Sequence, residues 1–312
     1  MPLHIKLMNS SLRRIVDSMT RLVRLDRQVD DIKINQGRIL AELNRERLYD
    51  HLSDYEFKVF SQWGEDGIIQ HLITHLDIPN RTFIEFGIED FSESNCRFLM
   101  MKDHWQGYVI DGSKANIARL RSSSYFWRYP LTAQSAFVTR ENIDALLQES
   151  GFGLCPGLLS VDLDGVDWHV LNALRHWRPS ILVVEYNDVF GFDRAVSVPY
   201  DPAFVRASAH SSNLYWGASL PAFMYLAKEM DMTLVGVNGA GSNAFFVQRD
   251  LLNHRVIEST LDDCRRPASF SDSRDFNGRL TFVRGAARRD IIDGLPLVDV
   301  LTSNVLRVGD LP

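Results

Sequence analysis

The sequence predicts an α/β fold, a doubly wound and mostly parallel sheet whose strand ends form one ligand-binding edge. Four observations predict it. Thr82-Phe-Ile-Glu-Phe-Gly87 reads as a short buried strand ending in an acid and a turning glycine. A helix starts near Asn95 and runs to Met101, and a second strand, Gly107-Tyr-Val-Ile-Asp111, ends in another acid. Leu158-Leu-Ser-Val-Asp-Leu-Asp-Gly165 and Pro179-Ser-Ile-Leu-Val-Val-Glu-Tyr-Asn187 are further apolar runs with acids at the same end. Thr233-Leu-Val-Gly-Val237 and Ala244-Phe-Phe-Val247 are close enough in sequence to form a hairpin.

The first element, Ser11 to Tyr49, is rich in Arg, Asp and Leu. Leu12, Ile15, Met19, Leu22, Val29, Ile32, Ile39, Leu40 and Leu43 fall near helical or heptad spacing. Asp26, Lys33 and Gln36 interrupt a strict seam, and Gly37 weakens the helix. The pattern predicts a long helix, broken near Gly37, through which the chain forms a homo-oligomer. The alternative is one or two helices lying on their own subunit. Acids interleaved with the arginines argue against a membrane-surface helix.

Gln62, Glu65 and Asp66 precede the first strand and are candidates for the cofactor edge, although Asp66 equally suits a helix cap. A helix follows to His75. After Asp111 the order is a helix over Lys114–Arg121, an aromatic cluster read as core (Tyr125, Phe126, Trp127, Tyr129), a strand over Ala136–Val138, and a helix with Thr139 and Asn142 as caps. Trp168 to Trp177 reads as the helix after the fourth strand. Asp164-Gly165 is a good turn pair, Asp167 can cap that helix, and Asn187 can stop its strand. Phe190 to Ser212 is an irregular insert suited to facing substrate. Ser219 caps a helix over Leu220–Met230. After Leu251 the pattern weakens: Gly278–Val283 is expected as a strand outside the main sheet and the last residues as a surface tail. The division is a helical oligomerisation segment over 1–50, an α/β domain over 51–254 and an extension over 255–312.

The chain of 312 residues, 45% hydrophobic, is long enough for one large core. Its formal charge of −6 argues against general nucleic-acid binding. Cys96, Cys155 and Cys264 show neither metal spacing nor an even framework, which fits reduced thiols in the cytoplasm. No apolar run is long enough to span a bilayer, and the N-terminus lacks the apolar core of a signal peptide.

Five parallel strands followed by a hairpin form the layout of Rossmann-like class I methyltransferases. Ser61-Gln-Trp-Gly-Glu-Asp-Gly67, Glu85-Phe-Gly-Ile-Glu89, Asp162-Leu-Asp-Gly165, Glu185-Tyr-Asn187 and Asn243-Ala-Phe-Phe-Val247 together resemble the FkbM-like, S-adenosylmethionine-dependent methyltransferases over roughly Phe60 to Leu251. That resemblance implies a seven-stranded sheet with an antiparallel last strand, and transfer of methyl groups to hydroxyls of sugars or natural products. It implies Glu85 and Gly87 beside the methionine part of the cofactor, Asp111 on the ribose, Phe137 and Val138 flanking adenine, and Asp162 next to the methionine amine or a metal. Asn95, at the helix start, joins the cofactor-binding candidates. The chain departs from the usual glycine-rich loop, because Gly87 has no partner glycine before the helix. That weighs against a pyrophosphate ligand such as NAD.

An alcohol is a poor nucleophile at neutral pH, so the acceptor needs a base or a metal. Asp162, Asp164, Glu185 and Asn187 are hard oxygen ligands on adjacent strand ends, a set suited to Mg²⁺ or Mn²⁺. Asp162, Asp164, His169 and His210 are the candidate catalytic residues. Two other functions fit parts of the sequence. Asp162-Leu-Asp164 matches the Asp-x-Asp pattern of metal-dependent glycosyltransferases. A non-catalytic oligomer carrying a degenerate fold is the third reading.

Overall fold

The computed structural model of the protein describes residues 10–312; the side chains of several residues up to Asp26, among them Leu12, Ile15, Met19 and Leu22, lie outside that description. The chain runs α1 (Ser10–Arg45), α2 (Glu65–His75), β1 (Thr82–Phe86), α3 (Arg97–Asp103), β2 (Gln106–Asp111), α4 (Lys114–Ser122), β3 (Leu131–Ser135), α5 (Ile143–Gln148), β4 (Leu158–Val161), α6 (Asp167–Ala173) and β5 (Ile181–Glu185). It continues with β6 (Val196–Ser197), α7 (Arg206–Ala209), α8 (Leu220–Glu229), β7 (Met232–Val237), β8 (Asn243–Gln248), α9 (Ala287–Asp290), β9 (Pro296–Asp299) and β10 (Val305–Arg307).

Seven strands form one sheet in the order β3-β2-β1-β4-β5-β8-β7. The neighbours from β3 to β5 pair in parallel, whereas β8 is antiparallel to both β5 and β7. This is the class I methyltransferase fold. The order reverses between β1 and β4, and the crevice beyond the carboxyl ends at such a switch point is where open α/β sheets bind ligands. The central strands are apolar on both faces because helices cover both: Phe83, Ile84, Leu158, Leu159, Ile181 and Val184 are fully buried.

The helix α1 is unbroken at Gly37, contrary to the expected interruption. The glycine serves packing instead: a Cβ there would lie 2.6 Å from Phe98 Cζ and 2.6 Å from Val59 Cγ2. Ile34 is buried beside it, and Asp30 pairs with Arg97 at 2.6 Å. The second half of α1 thus belongs to the body of its own subunit.

Four further expectations are corrected. The third strand is Leu131–Ser135, and Ala136–Val138 is its exit loop. In the aromatic cluster Tyr125 is buried, with the Arg97 guanidinium 4.3 Å over its ring, and Phe126 and Tyr129 pack against the core, but Trp127 is 76% exposed. Gly278–Val283 carries only a single bridge, Arg274 to Leu280, and Phe282 is exposed. The last residues are not a surface tail. β9 and β10 form a small antiparallel sheet with β6, from the insert after β5, and Leu297 and Val308 are fully buried in a third apolar cluster with Val196 and Phe190. Sequence periodicity missed this because each piece is only two to four residues long.

Candidate active site at the carboxyl edge of the sheet

A cavity of about 400 Å³ opens at the carboxyl ends of β1, β2, β4 and β5. That is within the usual range for a small-molecule site. Glu85, the fourth residue of β1, is its most enclosed acid. Ser94 Oγ donates to its Oε2 at 2.6 Å and the Asn95 N–H donates to its Oε1 at 2.8 Å. Burial raises its pKa to about 7 against those hydrogen bonds. The same Ser94 hydroxyl accepts the Cys96 and Arg97 N–H groups at 3.1 Å, at the start of α3. One serine therefore fixes both the acid and the helix beside it. Asn95 ties the neighbouring strand in, donating from Nδ2 to Ser160 Oγ at 3.1 Å.

Gly87 turns the chain at φ +78° directly against the next strand's exit loop, where a Cβ would overlap the Asp162 carbonyl. Asp111 ends β2; its Oδ1 accepts the Ser113 N–H at 2.7 Å and Asn116 Nδ2 at 3.2 Å. Phe137 and Val138 line the cavity from the loop after β3, Phe137 53% exposed and Val138 buried. The ring of Phe137 is thus an uncovered apolar wall.

On the other side of the floor lie Asp162, Asp164 and Glu185, one carboxylate oxygen of each within 4.8 Å of the others. Asp162 and Glu185 face the cavity and are otherwise enclosed. Burial, and then the charges of neighbouring acids, push both pKa values well above the carboxylate range. Two acids this close disfavour the doubly charged state, which a shared proton or a cation relieves. Asp164, at φ +54°, turns outward and accepts from Arg206 Nη1 at 2.5 Å. Arg206 also pairs with Asp272 and stacks over Trp216, 4.5 Å from the ring centre.

Several predicted residues lie elsewhere. Asn187 is buried and fully used: Nδ2 donates to the Leu214 and Trp216 carbonyls at 3.0 and 2.9 Å, and Oδ1 accepts the Val189 N–H at 3.0 Å. It ties the insert down and does not line the cavity. Asp66 accepts the Val59, Phe60 and Ser61 N–H groups and the Ser61 hydroxyl on one oxygen, shaping the loop before α2. Glu65 accepts Asn238 Nδ2 and Asn243 Nδ2 at 2.7 and 2.8 Å, plus two backbone N–H groups. Of that trio only Gln62 lines the cavity. His169 Nε2 faces the Val198 carbonyl at 2.8 Å, and His210 Nδ1 faces Ser212 Oγ at 2.7 Å. Neither histidine lines the cavity. Asp167 is not a cap either. It is the first helical residue of α6, and it accepts the Leu163 and Gly165 N–H groups at 2.6 and 2.9 Å, bracing the acidic loop.

Sequence reasoning missed Ser94 as the holder of Glu85, and Arg206. The only signal for Arg206 was its place as one of two arginines, with Arg194, in an insert that had to face an acidic strand edge.

No family model and no curated protein matches the sequence significantly. Among solved structures, the chain is similar to an O-methyltransferase family protein from Burkholderia thailandensis at 9% identity and a TM-score of 0.36, over 70% of this chain and 57% of that one. It thus spans somewhat over half that protein's length. It is also similar to the N-terminal domain of EvdMO1 with SAH bound, at 9% identity and 0.39 over 68% of this chain and 94% of that one. A third is magnesium protoporphyrin IX methyltransferase from Synechocystis PCC 6803 with bound SAH, at 8% and 0.38 over 59% and 81%. The assignment of the class I methyltransferase fold rests on this chain's own strand order and the antiparallel β8.

Proposed function

We propose that the protein is an S-adenosylmethionine-dependent O-methyltransferase of the FkbM-like kind, acting on a sugar hydroxyl of a glycan or a glycosylated metabolite. One observation carries the reading: Glu85, Gly87, Asp111 and Asp162 converge on a single cavity at the switch point of a methyltransferase-fold sheet.

The cofactor, when bound, supplies an electrophilic methyl group for in-line displacement. Asp111 is held by Ser113 and Asn116 through one oxygen, which leaves the other for the ribose hydroxyls. Phe137 and Val138 form an apolar wall for adenine. Gly87 lets the backbone approach closely, and Glu85, oriented by Ser94 and Asn95, faces the methionine portion. The Asp162–Glu185 pair then receives the proton of the acceptor hydroxyl, since both acids face the cavity and burial raises their basicity. Asp162, Asp164 and Glu185 also fit Mg²⁺ or Mn²⁺, as three oxygen donors within one coordination sphere. A divalent ion, when bound there, lowers the pKa of the acceptor hydroxyl.

The test is thermal stabilisation by S-adenosylhomocysteine compared with UDP or GDP plus Mn²⁺. Stabilisation by the nucleotide diphosphates alone would move the reading to a glycosyltransferase using Asp162 and Asp164. Stabilisation by none would favour a non-catalytic protein.

A further inference from the structure

The two faces of α1 have different characters. Its inner face is spent on the body: Asp30 pairs with Arg97, Ile34 and Gly37 pack on Phe98 and Val59, and Asn44 Nδ2 donates to the Tyr55 carbonyl at 3.1 Å. Its outer face is apolar and uncovered. Leu25, Val29, Ile32, Ile39 and Leu43 are 54, 48, 65, 62 and 55% exposed.

These five residues are in register. Leu25, Ile32 and Ile39 recur every seven residues, as do Val29, Gln36 and Leu43, and the two series alternate by steps of four and three. That is a d and a seam of a coiled coil, and in sequence Leu22 and Ile15 extend the a series. Asp26 and Lys33, which looked like interruptions, fall at flanking e positions. Asp30, Gly37 and Asn44 are b positions and Ile34 and Ala41 are f positions, on the side opposite the seam. Both faces can therefore be engaged at once.

We propose that the outer face of α1 forms a parallel, in-register two-stranded coiled coil with a second copy of this chain. Gln36 is what selects that occupant. It is an exposed polar residue at an a position. An amide carries both donor and acceptor, so two copies meeting across the axis satisfy each other, whereas an antiparallel or shifted partner sets it against an apolar side chain. The flanking charges agree. In a parallel seam each g position faces the e position five residues on in the partner, and by sequence the first such pair, Arg21 with Asp26, has opposite signs. The next pairs, Gln28 with Lys33 and Asn35 with Leu40, contain no like charges. The helix of 36 residues is about 54 Å long, ample for several heptads.

The experiment uses the full-length chain. Light scattering should give twice the mass of one chain. Ile32→Glu with Ile39→Glu should halve that mass and leave the circular dichroism and thermal midpoint of the body unchanged, because both side chains point away from it. A wild-type mass other than two chains, or a dimer that survives the double substitution, overturns the proposal. Direction is read in a Cys155→Ser background, which removes the exposed native thiol. Gln36→Cys should then give a disulfide-linked dimer without reductant, and Arg38→Cys, at a c position, should not. Absence of the Gln36→Cys cross-link overturns the parallel register.

Discussion

The carbonyl oxygen of Asp162 lies where a side chain on Gly87 would begin: an ideal Cβ at Gly87 would sit 1.4 Å from it. The obstacle is backbone, in a strand-exit loop held to β1 by the Asp162 N–H donating to the Phe86 carbonyl at 3.3 Å. The two exit loops are thereby locked together, and both line the cavity. Gly87→Ala should therefore cost at least about 2 kcal/mol, from the overlap together with the positive φ. S-adenosylhomocysteine affinity should fall with it. Denaturant unfolding and calorimetry check both, and a variant as stable as the parent would remove the close approach.

Asp111→Asn tests the ribose contact. It keeps an acceptor for the Ser113 N–H but loses the charge, so the fold should hold while affinity for S-adenosylhomocysteine drops about tenfold to a hundredfold, by roughly 1.5–3 kcal/mol. Unchanged affinity by calorimetry would take Asp111 out of the binding site.

Glu185→Gln separates binding from chemistry. Cofactor affinity should stay within about twofold, while turnover falls by on the order of a hundredfold through loss of the base or metal ligand. The folded state should be no less stable, since the substitution relieves two enclosed acids of competing for one proton. If a metal is required, EDTA should abolish turnover and added Mg²⁺ restore it. Full turnover by metal-free protein in excess chelator would leave the Asp162–Glu185 pair as the base acting alone.

His169→Gln and His210→Gln should each retain turnover within about threefold, because neither imidazole reaches the cavity and general-base losses usually run to a hundredfold or more. A loss of that larger size in either variant would show that the insert closes further over the acceptor.

His71 should govern part of the acid sensitivity. It stacks on Tyr55 at 3.6 Å between ring centres, and burial, then the neighbouring charge of His75, lowers its pKa to about 4. The unfolded chain, with an ordinary histidine, binds the proton more readily, so stability falls as pH drops from about 6.5 through about 4. Between pH 7 and 4.5 the wild type should lose about 2–3 kcal/mol more than His71→Gln does. The difference between the two proteins isolates this effect from Glu85, whose raised pKa acts in the opposite sense: its contribution weakens stability as pH rises from about 4.5 towards about 7. Parallel pH profiles for the two proteins would rule out His71.

The sequence by itself determined most of the sheet, although its third strand is Leu131–Ser135 and not Ala136–Val138. Apolar runs such as Ile181–Glu185 can only be central strands, and acids placed at their ends, Glu85, Asp111, Asp162 and Glu185, must gather at one edge once those strands run parallel. The long α1 was equally legible, because heptad spacing is a local property of the chain. Tertiary structure alone decided how each polar residue is spent. Asn187 and Glu185 look alike as ligands in sequence, yet Asn187 is consumed by the Leu214 and Trp216 carbonyls while Glu185 faces the cavity. Glu65 is likewise saturated by backbone and amide donors, and one oxygen of Asp66 is taken by three backbone N–H groups and the Ser61 hydroxyl, which no local pattern reveals. Gly37 reads as a helix breaker until Phe98 and Val59, distant in sequence, press against it. A hydrogen bond or a close contact is set by partners brought together from far along the chain, and that pairing is written in the packing rather than in the residue or its neighbours.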